Sequence, residues 1–66
     1  MKISNSKIKN LMALQALTTK ALAEKMNTQA NNLSTILTRG TCRPETAIRI
    51  SDALGVTLAE IIKQED

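Results

Sequence analysis

The stretch LTTKALAEKMNTQANNLSTILTRGTCRP, from Leu17 to Pro44, leaves room for two short helices with a tight turn between them, and for little else. Thr18 is a good N-cap, and Leu17 and Leu22 stand where a hydrophobic staple brackets a helix start. Leu22, Ala23 and Met26 recur at helical spacing and predict an inward face. Asn27 accepts the left-handed backbone that ends a helix. A third helix follows almost at once, capped by Thr28 or bounded by Gln29. It should end near Leu37 or Thr38, before a loop from Arg39 to Arg43. Within it Leu33, Ile36 and Leu37 share one side, which leaves Gln29, Asn31, Asn32 and Thr35 facing out.

The flanking segments read the same way. A first helix should start at Ser4, with Ile3 and Ile8 as its staple and Ile8, Leu11, Met12 and Leu14 on its apolar face. Lys7 and Lys9 fall on more exposed sides. Pro44 opens a fourth helix, where its missing N–H is harmless, and Glu45 suits the first turn. Ala47, Ile48, Ile50 and Leu54 are its candidate core positions, and Gly55 ends it. Thr57-Leu58-Ala59-Glu60 fits a capping box for a fifth helix, stapled by Val56 and Ile61 and extended by Ile62 before a charged tail. Nowhere do β-branched residues alternate with polar ones over a useful length. The expectation is an all-α, compact bundle of five short helices forming one domain over residues 1–66.

A chain of 66 residues buries only about 60% of the surface its unfolded form exposes. Its single cysteine, Cys42, excludes an internal disulfide, and the absence of histidine excludes the usual zinc ligand sets. Idealised helix packing or dimerisation must make up the difference. Residues 1–17 hold no long apolar run, and no stretch approaches the roughly 20 apolar residues of a membrane span. No signal peptide and no membrane partner are expected, and a lone thiol fits a reducing cytoplasm.

Charge is polarised. Lys2, Lys7, Lys9, Lys20, Lys25, Arg39 and Arg43 stand against Glu24 alone before residue 44. Beyond it, Arg49 and Lys63 face Glu45, Asp52, Glu60, Glu65 and Asp66. One end attracts a polyanion and the other repels it, unless the asymmetry is only that of a solvated surface. Aromatic residues are absent, which removes the stacking platforms that single strands and RNA call for. Duplex recognition by helix insertion needs none.

The third helix carries the chemistry. Asn31, Asn32 and Gln29 each offer an amide that pairs bidentately with adenine, and Thr35 suits a base acceptor or a thymine methyl. The plain alternative is a polar helix face of the kind many bundles carry. Arg39, Thr41 and Arg43, with the loop N–H groups near Gly40 and Thr41, form a candidate phosphate clamp; the alternative is a solvated connector. Thr18, Thr19 and Lys20 sit at the positive end of the second helix, where capping and phosphate contact are compatible. Cys42 is expected to be an inert loop residue; the competing reading is a redox switch whose thiolate Arg39 and Arg43 favour. With no histidine, no glycine-rich phosphate loop and no metal cluster, no enzyme and no cofactor are expected.

From Leu17 to Ile62 the chain resembles the phage Cro and repressor type of helix-turn-helix, the xenobiotic-response-element family. The resemblance lies in Leu22-Ala23, Leu33-Ser34, Ile36, Arg43-Pro44 and Ala53-Leu54-Gly55-Val56, followed by Leu58 and Ile61. It implies a compact bundle of about five helices and a bacterial or phage transcription regulator. It places base-reading sites on Gln29, Ala30, Asn31, Asn32 and Thr35, and phosphate sites near Thr19, Lys20, Arg39, Thr41 and Arg43. The chain departs from the family at Thr19, where glutamine is usual, at Asn27 for glycine and at Leu37 for glutamate. The expected role is a cytoplasmic, nucleoid-associated repressor that occludes a promoter, as a homodimer on a palindromic double-stranded operator, with no small-molecule ligand. The competing role is a protein-interaction module, an antitoxin or antirepressor on the same fold.

Overall fold

Helices form where the starting signals fall. The computed structural model describes residues 1–63 and contains α1 (Asn5–Leu14), α2 (Thr19–Lys25), α3 (Ala30–Arg39), α4 (Pro44–Leu54) and a final 3-10 turn, Leu58–Glu60. Ser4 caps α1, its hydroxyl accepting from the Lys7 amide at 3.2 Å, and Thr18 caps α2 through the Ala21 amide at 3.0 Å. Pro44 occupies the first turn of α4 as expected.

The ends share one device. After α1, α2 and α4 a residue turns left-handed, and the next amide reaches back five residues to a carbonyl of the last turn. Thr28 N–H donates to the Ala23 carbonyl at 2.9 Å, and Val56 N–H to that of Ser51 at 3.0 Å. Asn27 holds φ at 56° in the α2–α3 turn, the substitution for glycine that asparagine tolerates. After α1 the same role falls to Ala16, at φ 55°, with Leu17 N–H donating to the Met12 carbonyl at 2.8 Å. Alanine offers no sequence signal for it and carries a steric cost there of about 1 kcal/mol. Thr28 is thereby used in ending α2, so the α3 boundary falls at Gln29.

The helices close on one core of Ile8, Met12, Leu22, Ala23, Met26, Leu33, Leu37, Ala47, Ile50 and Leu54. The most extensive helix–helix packing is α2 against α3, and Ala23 of α2 is buried in the core. Two core residues, Ile3 and Ile61, lie outside the four helices. Ile3 lies in an N-terminal arm that the sequence did not reveal, and Ile61 in the segment after the 3-10 turn that the arm meets. Residues 1–4 thread between the loop after α3 and residues 61–63: Ile3 N–H donates to Gly40 O at 2.9 Å, Cys42 N–H to Met1 O at 3.0 Å, and Ser4 N–H to Ile61 O at 2.7 Å. Lys2 pairs with Thr41 and Ile3 with Ile62 as isolated antiparallel bridges, and no strand forms among the described residues.

That arm corrects the reading of the fifth helix. The capping box is present, with Thr57 N–H donating to the Glu60 carboxylate at 2.9 Å, yet helix geometry stops after one turn. The Ile61 carbonyl and Ile62 backbone are engaged by Ser4 and Ile3 instead of continuing a ladder. Leu14 is not on the apolar face of α1: it is 83% exposed. Ile48 is 47% exposed, and small Ser51 is buried in α4, its hydroxyl donating to the Ile48 carbonyl at 2.8 Å. Ile36 is half-buried, not buried. The expected tail of Gln64, Glu65 and Asp66 lies outside the described residues.

Candidate nucleic-acid interface

Leu33 and Leu37 fix the orientation of α3 by their burial, and everything four residues apart on the opposite side faces out. Asn31, Thr35 and Arg39 form that outer stripe, with exposed Asn32 beside it and exposed Gln29 at the helix boundary. Ala30 is half-buried and packs against the core, so its methyl is shared between the interior and the surface. No side-chain hydrogen bond engages the amides of Gln29, Asn31 or Asn32 among the described residues, so each keeps both donor and acceptor. Thr35 differs: its hydroxyl donates to the Asn31 carbonyl at 2.9 Å. Its proton is committed, which leaves an oxygen that accepts and a methyl that packs.

The N-terminus of α3 is open. Gln29 makes no side-chain cap, and the first carbonyl engaged is its own, by Leu33 N–H at 3.1 Å. The first N–H groups of the helix therefore present their positive end beside the three amides. By contrast Thr18 closes part of the α2 N-terminus, its hydroxyl oxygen being taken up by Ala21 N–H. Thr18 and Lys20 are exposed there and Thr19 is half-buried.

Arg39 is not in the loop. α3 runs two turns past Leu33 to include it, because Gly40 is the residue that turns left-handed, at φ 72°, and its N–H closes the helix on Ile36 O at 3.0 Å. A Cβ at Gly40 would meet only Ile3 O, at 3.7 Å, so backbone angle and not space selects glycine here. The loop proper is short and pinned. The Gly40 and Cys42 amides are both used internally, and the Thr41 amide has no partner among the described residues. Thr41 and Arg43 are exposed on either side of half-buried Cys42. The expected clamp thus loses the Gly40 amide and gains rigidity from the N-terminal arm.

Cys42 is set by burial, which pushes its thiol above the ordinary value. The N-terminal ammonium, which donates to the Cys42 carbonyl at 3.0 Å, opposes this only in part. The arginines do not create a thiolate, so the redox alternative loses its cause. Among the described residues no group of histidine, cysteine and carboxylate side chains could hold a metal, and no helix is long and apolar enough to cross a membrane.

Two side chains whose bonds tie the helices together were not legible in the sequence. Arg49 donates a guanidinium N–H to the Met26 carbonyl at the end of α2, and Gln15 donates to the Leu54 carbonyl at 2.6 Å, tying α1 to α4. Neither residue carries a local signal, because both partners are main-chain atoms far along the chain. No curated protein and no solved structure matches the chain. A family model does, over residues 7–66, and on that match the chain belongs to the Cro/C1-type HTH DNA-binding domain family.

Proposed function

We propose that this protein is a sequence-specific repressor that covers a promoter by inserting α3 into the major groove of double-stranded DNA. The observation that carries the reading is the outer side of α3, where free amides on Gln29, Asn31 and Asn32 sit beside an uncapped helix N-terminus. Asparagine and glutamine amides match the N6 donor and N7 acceptor of adenine. Ala30 and Thr35 complete the base-facing set as apolar contacts for a thymine methyl. Exposed Thr18 and Lys20, with half-buried Thr19, flank the groove on one side; Arg39, Thr41 and Arg43 supply phosphate contacts on the other.

One such module makes few base contacts, and a two-fold pair doubles them. We therefore assign it to a homodimer on a palindromic operator, with half-site centres about one helical turn, roughly 10 base pairs, apart. It acts where the chromosome is, in the cytoplasm, and no small-molecule inducer is implied.

Selection of bound sequences from a random duplex pool tests this directly. The expected product is an enriched palindrome with adenine at defined positions in each half. A pool that stays random after repeated rounds would overturn the reading and put the protein-interaction alternative in its place. A reporter carrying the selected site across its promoter should fall with increasing protein; a rise would reverse the sign of regulation.

A further inference from the structure

A groove between α3 and α4, which Asn32 and Thr35 of the proposed base-reading set also line, carries a cationic chemistry of its own. Its cationic walls are Arg39, from the last turn of α3, and Arg49, from α4. Thr28, Asn32 and Thr46 add hydroxyl and amide groups, and Met26 lies beneath. No carboxylate lines it. Other grooves among the described residues do contain an acid: Glu24 beside the α3 N-terminus, Asp52 beyond Arg49, and Glu60 against α1.

Arg49 is not a free arm. Its guanidinium donates to the Met26 carbonyl, one of the orphan acceptors at the C-terminus of α2. That bond uses one of five N–H donors and holds the planar fork in place, so less side-chain freedom is lost when an anion arrives. The geometry points to a phosphate seat here, formed by Arg39, Thr46 and Arg49 and filled by a backbone phosphodiester of the duplex that α3 reads. This rests on the proposed role of α3. It adds Arg49 and Thr46 to the contacts and places a phosphate next to Asn32, fixing the depth at which that amide meets base edges.

The test is binding to a random duplex across a salt series. Arg49→Gln should lower the slope of log affinity against log salt by about one unit, while Arg49→Lys keeps the slope. An unchanged slope in Arg49→Gln would overturn the seat. Thr46→Glu leaves Arg49 itself in place and covers the case in which Arg49→Gln fails to fold. It should weaken random-duplex binding by about tenfold or more, since it sets a carboxylate against the phosphate; binding within about twofold of the parent would contradict the assignment.

Inorganic phosphate, titrated into the protein without DNA and followed by the amide resonances of Thr46 and Arg49, separates the two sources of the anion. Shifts at these amides with an unchanged DNA slope would mean a free-anion site and overturn the duplex assignment. A parent protein that ignored duplex altogether would instead fail the reading of α3, and the phosphate titration alone would then decide whether the groove is an anion seat.

Discussion

Helices α1 and α3 are matched in size and opposite in use. Each has ten residues and buries two large side chains four apart, Ile8 and Met12 in one, Leu33 and Leu37 in the other. At the two boundaries of α1 the polar side chains are used inside the molecule: Ser4 caps the first turn, and Gln15, just past the last, donates to the Leu54 carbonyl; within the helix, Asn5 Oδ1 is buried without a hydrogen-bond partner. In α3 the boundary residue Gln29 caps nothing, and the amides of Asn31 and Asn32 make no internal bond. The same inner pattern therefore supports a scaffold helix and the proposed reading helix. What separates them is whether the polar side chains at their boundaries have partners.

The inner faces should prove equivalent. Ile8→Ala and Leu33→Ala each delete a fully buried side chain and should cost about 2–5 kcal/mol by chemical denaturation. In a chain this small, such a loss removes binding to specific and random duplex alike. A Leu33→Ala protein as stable as the parent would break the comparison at its base.

The helix starts should not be equivalent. Ser4→Ala loses a cap and should lower stability by about 0.5–2 kcal/mol without altering DNA preference. Gln29→Ala has no cap to lose, so its melting should stay within about 0.5 kcal/mol of the parent while operator affinity falls. If the two substitutions destabilised equally, the α3 N-terminus would be closed after all.

The smallest effect belongs to Cys42. Cys42→Ser should change stability and binding by less than about 0.5 kcal/mol in reducing buffer near neutral pH. Its thiol pKa is raised by burial, so the folded state favours the protonated form. That contribution is complete below the ordinary thiol range and is lost as pH rises through the raised value. The parent should therefore lose a little stability at alkaline pH that Cys42→Ser does not. Rapid alkylation of Cys42 at neutral pH would contradict this placement.

Local signals carried most of the helical frame. Ser4, Thr18, Asn27, Pro44, Gly55 and the Thr57–Glu60 box each stand where a helix starts or stops, because each acts through its own neighbours in sequence. What escaped depends on distant partners. Pairing of Ile3 with Gly40 and Ile62 is a pairing of single residues, too short for any strand period, and it is what cuts the fifth helix to one turn. Ala16 turns left-handed because Leu17 must reach back to Met12, not because alanine favours it. In the candidate site, the amides of α3 were readable from their spacing against Leu33 and Leu37. The Arg49 contact to Met26 was not, since a main-chain carbonyl has no sequence identity.

Whether the outer side of α3 reads bases is tested by measuring the affinity of Asn31→Ala and Asn32→Ala for the selected operator and for random duplex at matched salt, with melting temperature recorded alongside. Both substitutions should leave melting and random-duplex binding close to the parent. At least one should lose about 1–3 kcal/mol of operator affinity per half-site and relax the preference at one base pair. If both variants bind the operator as the parent does, this side of α3 is not the reading surface.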